Sequence, residues 1–211
     1  MSNILEQIQI NLYDGNFDEV EAATKAALEN GIAAYNILND GLVPGMNIVG
    51  RDFKSGVLFI PEVLMCAKAM HAGLEVLRPL LTRSEAKSQG KVVLGTVAGD
   101  LHDIGKNLVS MMLQGAGFEV VDLGTDVKPE QFVAVVRDEG ADMVGMSALL
   151  TTTMSSMKST IAALEEAGLR DQVIVIVGGA PLTAEFAQAI GADSYAPNAG
   201  AAVDTVRELL A

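Results

Sequence analysis

Lys91-Val92-Val93-Leu94-Gly95-Thr96-Val97-Ala98-Gly99-Asp100-Leu101-His102-Asp103-Ile104-Gly105-Lys106-Asn107 opens as an apolar, β-branched run, breaks at a glycine, crosses an acidic turn with one histidine and continues in helical rhythm. A strand, a turn and a helix follow one another. After Lys91–Val97 and Lys106–Gly115 the same alternation recurs: Glu119–Asp122 before Pro129–Glu139, then Met143–Ser147 before Thr153–Ala167. Two further units complete it, Val173–Val177 before Thr183–Ile190 and a brief Ser194–Ala196 before Ala199–Leu210. Strands joined through helices must run parallel, with helices over both faces. Right-handed crossovers then make a doubly wound sheet the default. Five units predict an α/β domain with the flavodoxin-like strand order 2-1-3-4-5.

Upstream of this stretch the period changes from strand to helix. Phe17, Val20, Ala23, Ala27 and Leu28 keep a 3.6-residue rhythm that stops at Asn30-Gly31. A second helical stretch starts at Ile32 and is expected to break around Leu42-Val43-Pro44-Gly45; a third spans Met46 to Phe53. Pro61 sits as a first-turn proline does, with Glu62 behind it, and opens a helix that runs to Arg78 and is closed by Pro79. Short helices on short connections predict a small bundle. The polar run Arg83-Ser84-Glu85-Ala86-Lys87-Ser88-Gln89 reads as a linker, which gives a helical domain at 1–82, a linker at 83–90 and the sheet domain at 91–211.

Composition narrows the function. Of 211 residues 50% are hydrophobic and 19% charged, enough apolar material for a core. The net charge of −13, from 14 basic and 27 acidic residues, argues against a nucleic-acid partner. Cys66 is the one cysteine, and His71 and His102 are the two histidines, so no Cys/His zinc cage can form. No apolar run reaches the ~18 residues of a membrane span, and the start of the chain does not read as a signal peptide. The chain is expected to be cytoplasmic.

In a doubly wound sheet, ligands sit beyond the C-terminal strand ends near the switch point. The unusual residues gather there: Gly99–Gly105 after the first strand, Ser147–Thr153 after the third, Gly178-Gly179-Ala180-Pro181 after the fourth. The predicted order makes these strands neighbours, so three distant segments share one rim. Asp100 stands two residues before His102, a spacing that lets a carboxylate hold one ring nitrogen and leave the other for a metal or a proton. The plainer alternative is a surface histidine beside a capping aspartate. One histidine cannot hold a bare metal, but it can supply one axial ligand to a metal already held in a macrocycle. Among Ser147, Thr151, Thr152 and Thr153, one of the last two is an N-cap candidate, while Ser147 has no capping duty.

Gly95 and Gly145 lie inside strands, where glycine marks a close approach. With Gly99, Gly105, Gly178 and Gly179 they suit a slender ligand arm running beside the first and third strands; close helix packing accounts for one or two of them. Neither G-x-G-x-x-G nor G-x-x-x-x-G-K-[ST] is present, and G-x-S-x-G is absent too. A phosphoacceptor receiver needs an aspartate where Ser147 stands.

Asp100-x-His102-x-x-Gly105, Ser147-x-Leu149 and Gly178-Gly179, in order at three strand ends, resemble the cobalamin-binding signature D-x-H-x-x-G, S-x-L, G-G. Gly99 to Asn107 is similar to the stretch found in methionine synthase and the small methyl-carrying corrinoid proteins, and Phe59-Ile60-Pro61-Glu62-Val63-Leu64-Met65 resembles the turn of their helical cap domain. The resemblance implies a stand-alone corrinoid protein that binds cobalamin with its own base displaced and His102 as lower axial ligand to cobalt. It implies that Asp100 orients His102, with Thr153 behind it where methionine synthase has a serine. Ser147, Gly178 and Gly179 line the pocket of the nucleotide tail, and Asp103, Ile104, Gly105, Leu149, Thr151 and Ala180 flank the cofactor. Phe59 belongs to the lid over the upper face, with Met65 and Met70 as lid candidates whose plain reading is core filler.

The implied activity is a methyl shuttle between a substrate-specific methyltransferase and a second one acting on tetrahydrofolate or coenzyme M, with a reductive activase as a further partner. The chain is thus a carrier subunit rather than a complete enzyme, and the methyl donor (methanol, a methylated amine, a betaine or a methoxyaromatic) is chosen by the partner. The alternatives are a cobalamin-dependent sensor or regulatory module and a subunit of a cobalamin-dependent mutase. The first usually attaches a DNA-binding module for which no residues remain; the second usually lacks the helical half.

Overall fold

A computed structural model describes residues 3–80 and 89–210. The chain divides into two compact units, Met1–Ser88 with Gly115–Gly117, and Gln89–Gln114 with Phe118–Ala211. The expected linker, 83–90, lies outside the described residues except for its last two.

The first unit is helical: α1 (Ile4–Tyr13), α2 (Phe17–Glu29), α3 (Ala34–Ile37), α4 (Val43–Lys54) and α5 (Ile60–Leu77). Its core is built from Ile8, Leu12, Val20, Ile37, Leu42, Val49, Val63, Met70 and Leu77, all buried. Met70 is therefore core, while Met65 is exposed. The expected break at Leu42–Gly45 does not occur. A π-helical turn, Leu38–Leu42, carries α3 straight into α4. Pro44 has no N–H to give the Asp40 carbonyl one turn back, and the Gln9 side-chain amide from α1 supplies it instead, at 2.7 Å. Pro61 does open α5, and the Glu62 carboxylate accepts the Phe59 N–H at 2.7 Å.

The second unit is the expected α/β sheet. Its strands are β1 (Lys91–Thr96), β2 (Glu119–Asp122), β3 (Met143–Ser147), β4 (Ile174–Gly178) and β5 (Ser194–Ala196), all parallel in the order β2-β1-β3-β4-β5. Between and after them run α6 (Ile104–Gly115), α7 (Pro129–Glu139), α8 (Met154–Glu166), α9 (Ala184–Ile190) and α10 (Ala199–Leu210). One face buries Val93, Val144, Met146, Val175 and Val177 against Phe132, Val136, Met157, Ile161 and Leu164 of α7 and α8. Crossover handedness puts α6 on the other face.

The register fixes what that other face presents. Leu94, Gly145 and Ile176 are partners across β1, β3 and β4, and so are Thr96, Ser147 and Gly178 one step nearer the C-terminal ends. Gly145, Ser147 and Gly178 remain partly exposed there, although they belong to central strands. These three positions leave a partly open strip on the central strands.

The strand glycines divide into two kinds. A Cβ on Gly95 would sit 2.6 Å from Cζ of Phe132, so this glycine admits an aromatic ring of the chain's own core. A Cβ on Gly145 would meet Leu94 at 2.3 Å, yet the position keeps some exposure. Gly95 is thus one of the glycines that helix packing accounts for: the ring that fills it comes from α7. Gly95→Ala is accordingly expected to cost about 1–3 kcal/mol through overpacking. Measured by urea unfolding, most of that cost should vanish in a Phe132→Leu background, and a cost independent of residue 132 would contradict the packing.

Candidate functional site

The loop after β1 is folded by its own backbone. Asp100 N–H donates to the Val97 carbonyl at 3.1 Å across a turn whose third residue, Gly99, has φ +83°. That is the position at which a type II turn asks for glycine. The turn directs the Asp100 side chain inward, where it is fully buried. Its Oδ1 accepts the His102 backbone N–H at 3.1 Å and engages His102 Nδ1 at 2.7 Å, an Asx-turn extended to the ring. Its Oδ2 accepts from Leu149 N–H at 2.8 Å, Leu150 N–H at 3.1 Å and the Thr153 hydroxyl at 2.8 Å. Five donors thus converge on one carboxylate.

Burial by itself would push the Asp100 carboxyl up. The bonds from Leu149, the His102 ring, the His102 N–H and Thr153 outweigh it and hold the group well below the usual carboxylate range. An ionised carboxylate on Nδ1 requires the ring to carry its proton there. In the neutral imidazole Nε2 then holds the lone pair, and the side chain is half exposed. This arrangement can offer one neutral imidazole nitrogen to a metal or a proton. Among the described residues no group of three or more His, Cys, Asp or Glu could hold a metal ion, so any metal at Nε2 must bring its other ligands with it.

Thr153 stands at the N-cap position of α8 but does not cap it; its hydroxyl faces Asp100 and, at 2.8 Å, the Leu150 carbonyl. The capping alternative is thereby answered. Thr96, buried at the end of β1, donates to the His102 carbonyl at 2.9 Å and braces the loop from below. Asp103 turns away from the pair: its carboxylate accepts from Asn107 at 3.0 Å in the first turn of α6. That turn is held to the end of β2 by the buried Lys106, which bonds Asp122 and, at 2.6 Å, Asn107.

Around the histidine lies an apolar rim. Leu101 and Ile104 are 74% and 70% exposed, and Leu149 and Leu150 are exposed too, on the very loop whose amides hold Asp100. Leu101 and Leu150 did not stand out in the sequence, because an isolated loop leucine carries no pattern until its exposure is known. Side chains of this kind around one imidazole suit a broad, flat, largely apolar group.

Gly178 and Gly179 lie where β4 ends. Gly179, at φ +138°, passes so close to β3's end that a Cβ would be 1.9 Å from the Ala148 carbonyl oxygen. With Gly145 and Ser147 they make up the partly exposed strip toward the C-terminal ends of β3 and β4. Ala180 and Thr151 are exposed at the rim, and Gly105 faces open space in α6. Phe59, on the helical unit, is 65% exposed beside exposed Val57, Ile60, Leu64 and Met65.

The comparisons with known proteins agree with this chemistry. Residues 90–206 match a B12 binding domain, and residues 4–78 match a second model of the same description. The chain is 52% identical over 209 residues to the dimethylamine corrinoid protein of Methanosarcina barkeri, covering 99% of this chain and 98% of that one. A corrinoid protein of Desulfitobacterium hafniense strain Y51 is 43% identical over 211 residues, 99% of this chain and 98% of its own. Among solved structures, the methanol:cobalamin methyltransferase complex MtaBC from Methanosarcina barkeri gives a TM-score of 0.88 at 33% identity, covering 98% of this chain and 79% of that one. A cobalamin-binding protein from Desulfitobacterium hafniense DCB-2 gives 0.81 at 32% identity, covering 99% and 98%. Among the described residues no helix is long and apolar enough to cross a membrane.

Proposed function

The chain belongs to the B12-binding corrinoid proteins of methyltransferase systems, and from that premise we propose that it carries a methyl group on a corrinoid whose cobalt is ligated from below by Nε2 of His102. The observation that carries this is the buried Asp100 carboxylate, 2.7 Å from Nδ1 of a half-exposed ring, which leaves the lone pair of the neutral imidazole on Nε2. The other residues fit the same group. Leu101, Ile104, Leu149 and Leu150 offer an apolar seat to the macrocycle, and the strip at Gly145, Ser147, Gly178 and Gly179 takes the displaced nucleotide tail. When bound, the corrinoid supplies a cobalt centre able to accept and release a methyl group; the chain supplies the axial nitrogen, its tautomer and the exclusion of water.

In this reading the domains divide at 1–82, 83–90 and 91–211. On the helical domain, Phe59 and the exposed apolar side chains near it are the candidates to contact the upper face of the corrinoid. The partners are a substrate-specific methyltransferase and a second methyltransferase that passes the group to tetrahydrofolate or coenzyme M, served by a reductive activase. The 52% identity to a dimethylamine corrinoid protein favours a methylated amine as the donor. Reduced cobalt calls for a reducing compartment, hence the cytoplasm.

The test is spectroscopic. Full-length protein, uniformly labelled with ¹⁵N, is loaded with hydroxocobalamin, reduced to cobalt(II) and examined by electron paramagnetic resonance. A protein nitrogen gives a two-line superhyperfine pattern, absent in His102→Ala; a three-line pattern identifies the cofactor's own base and overturns the ligand assignment.

A further inference from the structure

We infer that Asp126, in the loop between β2 and α7, is a positioning residue that fixes the turn from which His102 is presented; this rests on the reading of His102 as the cobalt ligand. Asp126 lies outside the cobalamin motif, 24 residues beyond the histidine in sequence. Its carboxylate accepts the Gly99 N–H at 2.7 Å, and its own N–H donates to the Asp100 carbonyl at 2.9 Å. The two bonds grip the backbone on either side of the Asp100 α-carbon. With the Asp100 N–H already on Val97, every backbone group of that residue is committed, and only then is the direction of its side chain determined.

The backbone of Asp126 shows what this grip requires. At φ +54° it is the one non-glycine residue with positive φ among the described residues. Aspartate is among the few side chains that enter this region readily. The loop around it is anchored along the end of β1: Thr96 N–H donates to the Gly124 carbonyl at 3.0 Å, and Val127 N–H to the Thr96 carbonyl at 2.9 Å. An exposed aspartate in a strained conformation, spending its carboxylate on the amide before Asp100, has a positioning task rather than a core one.

Three full-length variants separate the carboxylate from the backbone conformation. Asp126→Asn keeps an acceptor for Gly99, Asp126→Gly accepts the positive φ but has no side chain, and Asp126→Ala loses both. The readout is the ratio of protein-nitrogen-ligated to unligated cobalt(II) in the ¹⁵N resonance experiment, with the thermal unfolding midpoint alongside. Asp126→Ala and Asp126→Gly are each expected to lower the ratio about fivefold, the worth of one hydrogen bond, and Asp126→Asn to restore it to within about twofold. Retention of the parent ratio in Asp126→Gly, or a defect in Asp126→Asn as large as in Asp126→Ala, overturns the inference. Absence of protein nitrogen in the parent chain overturns the His102 reading instead, and is seen before any variant is made.

Discussion

Asp100→Asn is expected to leave the protein folded and to reverse the imidazole that it supports. The asparagine oxygen has two backbone amides to satisfy, those of Leu149 and Leu150, and so takes the place of Oδ2. Its NH₂ group then faces His102, whose backbone N–H loses its acceptor. Nδ1, until then a donor, must become an acceptor, and the ring proton moves to Nε2. The residue is still histidine and still in place, but its outward nitrogen has no lone pair. The protein-nitrogen signal of loaded cobalt(II) protein should fall about tenfold or more, and the ¹⁵N shifts of the imidazole in unloaded protein should exchange their protonated and unprotonated positions. Unchanged shifts would show that Asp100 does not set the tautomer.

The same substitution carries a stability signature in acid. The Asp100 carboxyl is held below its ordinary value of 3.8, so near that pH the unfolded chain binds the proton first. Its contribution is fully present above the unfolded value and is lost as pH falls through the lower, folded one. Asp100→Asn lacks it throughout. The variant should be less stable by about 1–3 kcal/mol at neutral pH, and the two urea midpoints should converge below about pH 4. Parallel curves down to the acid limit would mean that the native carboxyl titrates normally.

Gly179→Ala is expected to be the most damaging single methyl in the sheet domain. The added carbon would stand 1.9 Å from the Ala148 carbonyl oxygen, and φ is +138°, a conformation that side chains avoid. Neither partner can step aside, because Ala148 is buried and its N–H donates to the Gly178 carbonyl at 3.2 Å. A loss of about 3–5 kcal/mol, or roughly 10 °C in Tm, should follow. Gly105→Ala is the control: nothing lies within 4 Å of its added carbon, and it sits in α6, where alanine is preferred. A Gly179→Ala protein melting with the parent would rule out the tight crossing of β3 and β4 ends.

What was legible in the sequence was whatever depends on neighbours in the chain. The alternation after Gly90 announced five strand–helix units, and Asp100-x-His102 announced a carboxylate on an imidazole because an Asx-turn spans just that distance. What escaped was set by partners far along the chain. Pro44 reads as a helix breaker until Gln9, 35 residues earlier, is seen to answer the Asp40 carbonyl. Gly95 marks a close approach, but whether of a ligand or of a helix is undecided until Phe132 is found above it. The amides of Leu149 and Leu150, which do as much for Asp100 as any side chain, belong to the backbone and have no letter in the sequence at all.

The manner in which Asp100 is held has an energetic consequence. Its charge is balanced by fixed dipoles, three N–H groups and a hydroxyl besides the ring itself, rather than by a mobile cation or by water. A change of charge on the imidazole therefore finds the carboxylate behind it already polarised and already buried. Little has to be rearranged around Asp100 before or after, so the reorganisation energy on that side of the ring was spent when the chain folded.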